Sequence, residues 1–508
     1  MNPSRVHPLI LAAMLLLPSL LVSDGAQRGE VLFRNALKLE QGADYLNAAE
    51  AYAGARAQLE KEGRADLVGR CRDAATRLEV IRMTYSLTEE QVLATIKEKY
   101  PDLPKARVDA VLKEGRLPQL LIGGKTYYFD GFLNTLAHLY PDFNSGQEPG
   151  ALGKATKLFE VMSPYIYDRA PWPPGRTLAH PLRYEARGEL TLPRKAFPAK
   201  GTLKVWLPLP LTTAAQPSVE NLSIQPERYL KYPIRLDGDI GLAYMEIPLE
   251  EVAGDLEIGV RFILTHHAER HAVDPAEVGE YDRESPLYRR YTASGPNVAV
   301  TPAIRATAER IAQGETNPFL IAKKFYHHVV YDLDYSFMPH GALAALGIPE
   351  SVYVHEHGYG DCGAQSMYFA ALCRAAGIPA RASGGMQLFP IAENGCNDHF
   401  WAQFYLPNYG WIPADTSAGQ LARYMPGLTE VQRKDFIGFF FGNMDPFRYL
   451  IQVDVDIPLV PAPDELLVFP MVLQSPTALC REMDQNPGIL FMENWKMTIK
   501  QIGEAKPQ

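Results

Sequence analysis

The chain has 508 residues, of which 47% are hydrophobic and 21% charged, and its formal charge is −9. That size and balance describe a globular protein large enough for about three or four domains. The acidic charge, with no basic tract, gives no general attraction to nucleic acid, and five cysteines are too few for a fold that depends on disulfides.

Met1 to Gly25 carries Arg5 and His7 ahead of an apolar run from Leu9 to Val22, then small residues around Ser23 and Gly25. This is the pattern of a secretory signal peptide, residues 1–25, with cleavage expected after Gly25. The run is short for a transmembrane span, and no cysteine follows it that could carry a lipid. The expected location is extracytoplasmic, periplasmic or secreted, with no stable membrane insertion after cleavage; an uncleaved anchor is the alternative.

Residues 26–170 read as a helical N-terminal region. Leu32, Ala36, Leu39, Ala48, Tyr52, Ala55 and Leu59 recur at helical spacings, with Gly42 and Gly63 near the turns. The segment LKLEQGADYLNAAEAYAGA looks like one tetratricopeptide-type hairpin, though no array is visible and an ordinary helical bundle fits as well. Thr88 with Gln91 predicts a capping box, a second helix follows Pro104, and QLLIGGKTYYF predicts a hairpin turning at Gly123 and Gly124. Helix, helix, hairpin resembles a winged-helix outline, but acidity and secretion point to a structural or substrate-orienting accessory.

Pro171 to Gly175 marks a linker, after which strand patterns dominate residues 176–270. Leu203, Val205 and Leu207 alternate, Asp237 and Gly238 predict a turn, and Ile258, Val260, Phe262 and Leu264 alternate again. This predicts a β-sandwich-like domain. Residues 290–508 are expected to hold a core with a C-terminal extension, in which ELLVFPMVLQ and WKMTIKQIG complete or cover the core's sheet.

The chemistry concentrates at His355 to Pro379, HEHGYGDCGAQSMYFAALCRAAGIP. Gly363 to Ala376 has no internal proline and ends at Gly377, Ile378 and Pro379, so a helix is predicted with Asp361 as its N-cap and Cys362 at its start. The unpaired N–H groups and dipole of a first turn favour a thiolate there. Cys373, eleven residues on, lies about 16 Å along the axis and reads as core. Downstream, Asp398 to Leu406, the turn Pro407 to Gly410 and Trp411 to Thr416 predict a hairpin with His399 and Asp415 at its open end. A regular hairpin about Asn408 and Tyr409 sets Asp415 opposite Ala402, so a bulge at Gly410 or Pro413 is expected to bring it to His399. Asp398 would point to the opposite face.

These residues resemble the transglutaminase-like superfamily from about Thr301 to Asp415. The resemblance runs through NPFLIAKKFYHHVV, GYGDCGAQS, ALCRAAGIPAR and HFWAQFYLPNYGWIPADTS, with FFFGNMDPFR beyond. It implies a papain-like α+β core in a multidomain α+β protein, with Cys362 as nucleophile, His399 as base and acid, and Asp415 as orienter of the imidazole. The implied enzyme is a cysteine protease or acyltransferase acting on amide bonds of a peptide or protein substrate through a thioester. Peptide hydrolysis is favoured; transamidation of protein glutamine, or a binding or scaffold protein with a vestigial site, are the alternatives. The Cys362 backbone N–H is a natural oxyanion donor, the second donor being unassigned. His355, His357, Cys362, Cys396 and His399 could instead ligate a metal, but the expectation is no metal and no cofactor. Tyr359, Trp401 and Trp411 are candidates for walls of a cleft or for core.

Overall fold

The structure, a computed structural model, describes residues 28–143, 149–167, 169, 172–390, 395–464, 471–483 and 487–504. The expected signal peptide, Pro171 of the linker and 465–470 of the expected strand ELLVFPMVLQ lie outside the described residues. Among the described residues, no helix is long and apolar enough to cross a membrane.

The chain divides after Ala75 into two compact units. The first holds helices Arg28–Gln41 and Tyr45–Lys61 and the start of Ala65–Thr84. Phe33, Ala36, Ala48, Tyr52, Ala55 and Leu59 are buried at helical spacings, and Phe33 takes the core position expected for Leu32. Tyr52 Oη donates to Glu40 at 2.6 Å, tying the two helices together.

The second unit mixes helices and sheets. Thr88 and Gln91 form the capping box that starts Glu89–Lys99, and Gly123 and Gly124 turn the hairpin of Gln119–Ile122 and Lys125–Tyr128 with φ of 55° and 80°. Two antiparallel sheets follow. One pairs the long strands Leu178–Leu192 and Leu256–Arg270, with Ser218–Gln225 and Lys496–Glu504 alongside. The other orders Thr477–Leu479, Thr202–Pro208, Leu242–Pro248 and Leu230–Arg235. Alternating side chains such as Ala186, Val260 and Phe262 of one sheet and Val205, Leu207 and Met245 of the other share one buried cluster. The strand in WKMTIKQIG therefore joins the long-stranded sheet rather than that of the cysteine core, and 471–474 forms no strand. It pairs with Leu178–Leu192 as the edge strand of that sheet.

The remaining sheet is antiparallel, ordered Gly410–Ala414, Asn397–Leu406, Ala380–Gln387, Arg448–Gln452. Helix Cys362–Ala375 packs on it, with Ala364, Met367, Phe369, Ala370, Leu372 and Cys373 all wholly buried. Helix Pro318–Asp332, capped by the Asn317 side chain on the Phe319 and Leu320 N–H groups, packs against it. A helix buried all round is held by packing on every side, so its N-terminus is a rigid mount.

Candidate active site

Asp361 caps this helix by accepting from the Ala364 N–H at 3.0 Å, which sets Cys362 as the first helical residue. The preceding Tyr359–Gly360 pairs in parallel with Asp334–Tyr335, Tyr335 opposite Gly360. That short pairing brings the Tyr335 phenol beside Cys362, close enough to feel both its thiol and its backbone N–H. Burial holds the phenol protonated far above its ordinary range, with the acidic groups of Cys362, Asp361 and Asp415 acting in the same direction.

Cys362 is half-buried and its thiol is free. A thiolate favoured by the helix start was expected; the balance runs the other way. Burial pushes the thiol well above its ordinary value, the Asp361 carboxylate adds to it, and the Phe400 and Gly363 N–H groups only partly oppose them. The dipole of one helix end is a partial charge, whereas Asp361 is a full one at the adjacent residue.

Asp361 has a partner that sequence reasoning missed. His340 donates through Nε2 to Asp361 Oδ2 at 2.5 Å and through Nδ1 to Glu350 Oε1 at 2.9 Å. Burial alone would discharge this imidazole, but the two carboxylates outweigh it and hold His340 protonated well above the usual histidine range. Burial likewise opposes the Asp361 charge, yet His340 and the Ala364 and Gly363 N–H groups hold its carboxyl below the usual range. Nothing local in MPHGALAALG signals this role, because the three residues meet only through tertiary packing.

On the hairpin, His399 Nε2 donates to Asp415 Oδ2 at 2.8 Å, with His399 6% exposed and Asp415 fully buried. The pairing is regular from Leu406 opposite Gly410 to Ala402 opposite Ala414, so the bulge expected at Gly410 or Pro413 is absent. The connection has three loop residues, Pro407, Asn408 and Tyr409, with Asn408 at φ 73° and Gly410 at φ 84°. One extra loop residue moves Asp415 one place closer to His399 than a loop of two would. There the strand ends, and Asp415 turns off to cap helix Thr416–Leu421, accepting from the Ala418 N–H at 2.9 Å through Oδ1.

Asp415 has a second partner, a cation that sequence reasoning also missed. Arg448, wholly buried, donates from Nη1 to Asp415 Oδ2 at 2.9 Å and from Nη2 to Asp445, and lies 5.0 Å over the Trp401 ring. Burial would raise the Asp415 carboxyl, but His399 first and Arg448 next hold it well below the carboxylate range. The acid and base of MDPFR stand three apart in the sequence, a spacing that signals a pair but not its target.

Asp398 is exposed, and Trp401 stacks at 6.2 Å from the His399 ring. Tyr359 is fully buried, hydrogen-bonded to Tyr353 and part of the core, whereas Trp411 is partly buried and packs on Tyr291 and Arg381 toward the hairpin turn. His355 and His357 end the helix Glu350–His357 and bond Tyr368 Oη and the Tyr353 carbonyl. Cys396 is buried with its thiol donating to the Met497 carbonyl. Among the described residues, no group of three or more His, Cys, Asp or Glu could hold a metal ion.

Residues 305–416 match the family model of the transglutaminase-like superfamily. The chain is also 23% identical over 318 residues to an uncharacterized protein of Haemophilus influenzae, covering 57% of this chain and 83% of that one. Two solved structures are similar in part. A candidate cysteine protease of Cytophaga hutchinsonii is 11% identical with a TM-score of 0.40, over 65% of this chain and 94% of that one. The periplasmic domain of TgpA from Pseudomonas aeruginosa is 14% identical with a TM-score of 0.22, over 50% and 98%. Scores this low assign no fold, and none is taken from them. The cysteine helix and the hairpin of His399 and Asp415 both lie inside the matched segment, so residues 305–416 carry the chain's likeness to the transglutaminase-like superfamily.

Proposed function

We propose that the protein is an extracytoplasmic thiol enzyme that cleaves amide bonds of peptides through Cys362, His399 and Asp415. The observation that carries this reading is the His399 to Asp415 hydrogen bond of 2.8 Å, buried beside the start of the Cys362 helix. Because Nε2 is engaged by the carboxylate, Nδ1 is the nitrogen left to exchange protons. The Phe400 N–H, one residue from His399, acts on the Cys362 thiol, which argues for closeness of the two side chains.

Since the resting thiol is pushed up, the reaction begins from neutral Cys362. His399 Nδ1 takes the Sγ proton as sulfur attacks the carbonyl carbon, forming a tetrahedral oxyanion. The C–N bond then breaks, His399 returns the proton to the leaving amine, and a thioester remains. Water adds to the thioester, losing a proton to His399, and the acid product and the thiol are released. The Cys362 N–H and the Tyr335 hydroxyl are the donors for the oxyanion, Tyr335 remaining protonated for that task.

In this reading, the helical region up to 170 and the sheets of 176–270 are accessory to a core over 290–508, and the partner is a peptide or protein chain. The test is turnover of a mixed peptide set by the full chain and by Cys362→Ala, with and without an added amine. New α-amino groups from the wild type alone support hydrolysis; amine incorporation alone would make it a transamidase; equal rates for the two proteins would refute both.

A further inference from the structure

Within the second unit, a cavity of about 380 Å³ lies between Val80 to Thr84 at the end of their helix, the segment after the first hairpin, the start of helix His340–Leu346, the approach to strand Thr477–Leu479 and helix Pro487–Asn494. Its walls are largely apolar, with Val80, Met83, Phe129, Met338, Ile489 and Met492. Met83 and Met492 remain 41% and 46% exposed, so apolar surface is left open at the cavity. Volume and lining lie within the range of sites that take an apolar group of a ligand.

Two separate links tie this cavity to the proposed centre. His340, in its wall, holds Asp361, the residue before Cys362, at 2.5 Å. Ser475, in its opposite wall, follows Gln474, whose Nε2 donates to the His399 carbonyl at 3.1 Å and to that of Gly385 at 2.7 Å. Hydrogen bonds therefore couple residues in or next to the cavity's walls to both the cysteine side and the histidine side of the proposed centre. A Cβ placed on Gly360, two residues from Cys362, would meet the Met338 sulfur at 3.4 Å, so this wall stands close to the chain leading into Cys362. Apart from Met338 to Gly341, the lining falls outside the matched segment 305–416.

We propose that this cavity is the specificity pocket for a large apolar side chain, aromatic or branched aliphatic, of the polypeptide whose amide is cleaved. This rests on the thiol-enzyme reading. Asp130 and Glu493 in the lining disfavour an acidic side chain or a fatty-acid carboxylate, and the predominantly apolar walls favour a neutral side chain carried on a peptide.

The experiment uses the full chain carrying Cys362→Ala, so that binding is read without turnover. The probes are fluorescein-labelled, end-blocked alanine-based hexapeptides bearing one Phe or one Glu at each position, followed by anisotropy. One Phe position is expected to bind about tenfold tighter than its Ala counterpart, and Glu there no tighter than Ala. Met492→Trp and, from a different helix, Met83→Trp fill the cavity and should each bring the Phe preference to within about twofold. The proposal is overturned if no position prefers Phe, if both filled variants keep the preference, or if a labelled fatty acid binds while every peptide fails. Turnover by the wild type is scored separately. Phe-dependent binding without turnover would sink the catalytic reading and leave the pocket, whereas turnover indifferent to Phe would sink the pocket alone.

Discussion

Asp415→Asn keeps shape and removes one charge, and the structure dictates how the amide must sit. Oδ2 accepts from His399 Nε2 at 2.8 Å and Arg448 Nη1 at 2.9 Å, while Oδ1 accepts from the Ala418 N–H at 2.9 Å and Ser417 Oγ at 3.3 Å. A carboxylate accepts at both ends, an amide at one only. With its oxygen toward His399 and Arg448, the amide sets its NH2 against the Ala418 N–H and loses the helix cap, which costs about 1 kcal/mol. The reverse orientation aims NH2 at a buried guanidinium and forces Nε2 to accept, moving the ring proton to Nδ1, so the first orientation wins. The His399 bond also becomes neutral and the Arg448 bond loses its anionic acceptor, and the total loss of stability comes to about 3 kcal/mol. Unit charges about 4 Å apart interact by roughly 4 kcal/mol at an effective dielectric near 20. Arg448 already balances part of the Asp415 charge, so about 2 to 3 kcal/mol of imidazolium stabilisation is lost, or roughly a hundredfold in kcat/KM. Urea unfolding reads the first quantity and peptide turnover the second. A variant within about threefold of wild-type kcat/KM would refute the role of Asp415.

Tyr335→Phe removes one proposed oxyanion donor, and kcat should fall by roughly a hundredfold with KM little changed; a pure KM effect would point to substrate binding instead. The folded pKa of His340 is raised above its unfolded value of about 6.5, so its stabilisation is complete below that pH and is lost as pH rises toward the folded value, by as much as about 1.4 kcal/mol per unit. Urea midpoints between pH 6 and 8 should therefore fall more steeply for the wild type than for His340→Gln, and equal slopes would contradict the assignment. Iodoacetamide labelling of Cys362 should reach its midpoint above the ordinary thiol range, near 8.5, and Asp361→Asn should move that midpoint down; a wild-type midpoint well below about 7 would show a preformed thiolate. Arg448→Met leaves the buried Asp415 and Asp445 without their shared guanidinium and should cost about 3 to 5 kcal/mol in unfolding free energy.

Local features were legible where one short segment decides them. Asp361 before an unbroken helical run announces a cap, Gly123 and Gly124 announce a tight turn, and the order of Cys362, His399 and Asp415 follows a known superfamily pattern. The hairpin was legible in kind but not in register, since Pro407 to Gly410 allows a loop of two or three residues and one residue changes which positions face each other. The thiol's protonation was misjudged because a helix end is visible in sequence while desolvation and the net charge around Asp361 are not.

The sequence by itself determined the helix that carries Cys362, the hairpin that carries His399 and Asp415, and the mixture of helices and strands around them, because hydrophobic period, caps and turn residues act over a few neighbours. Tertiary structure alone decided that His340 and Glu350 flank Asp361, that Arg448 shares Asp415, that 496–504 returns to a distant sheet, and that five separated segments enclose one apolar cavity. Charge pairing and burial depend on distance in space, and residues as far apart as Val80 and Met492 acquire that distance only when the chain has folded.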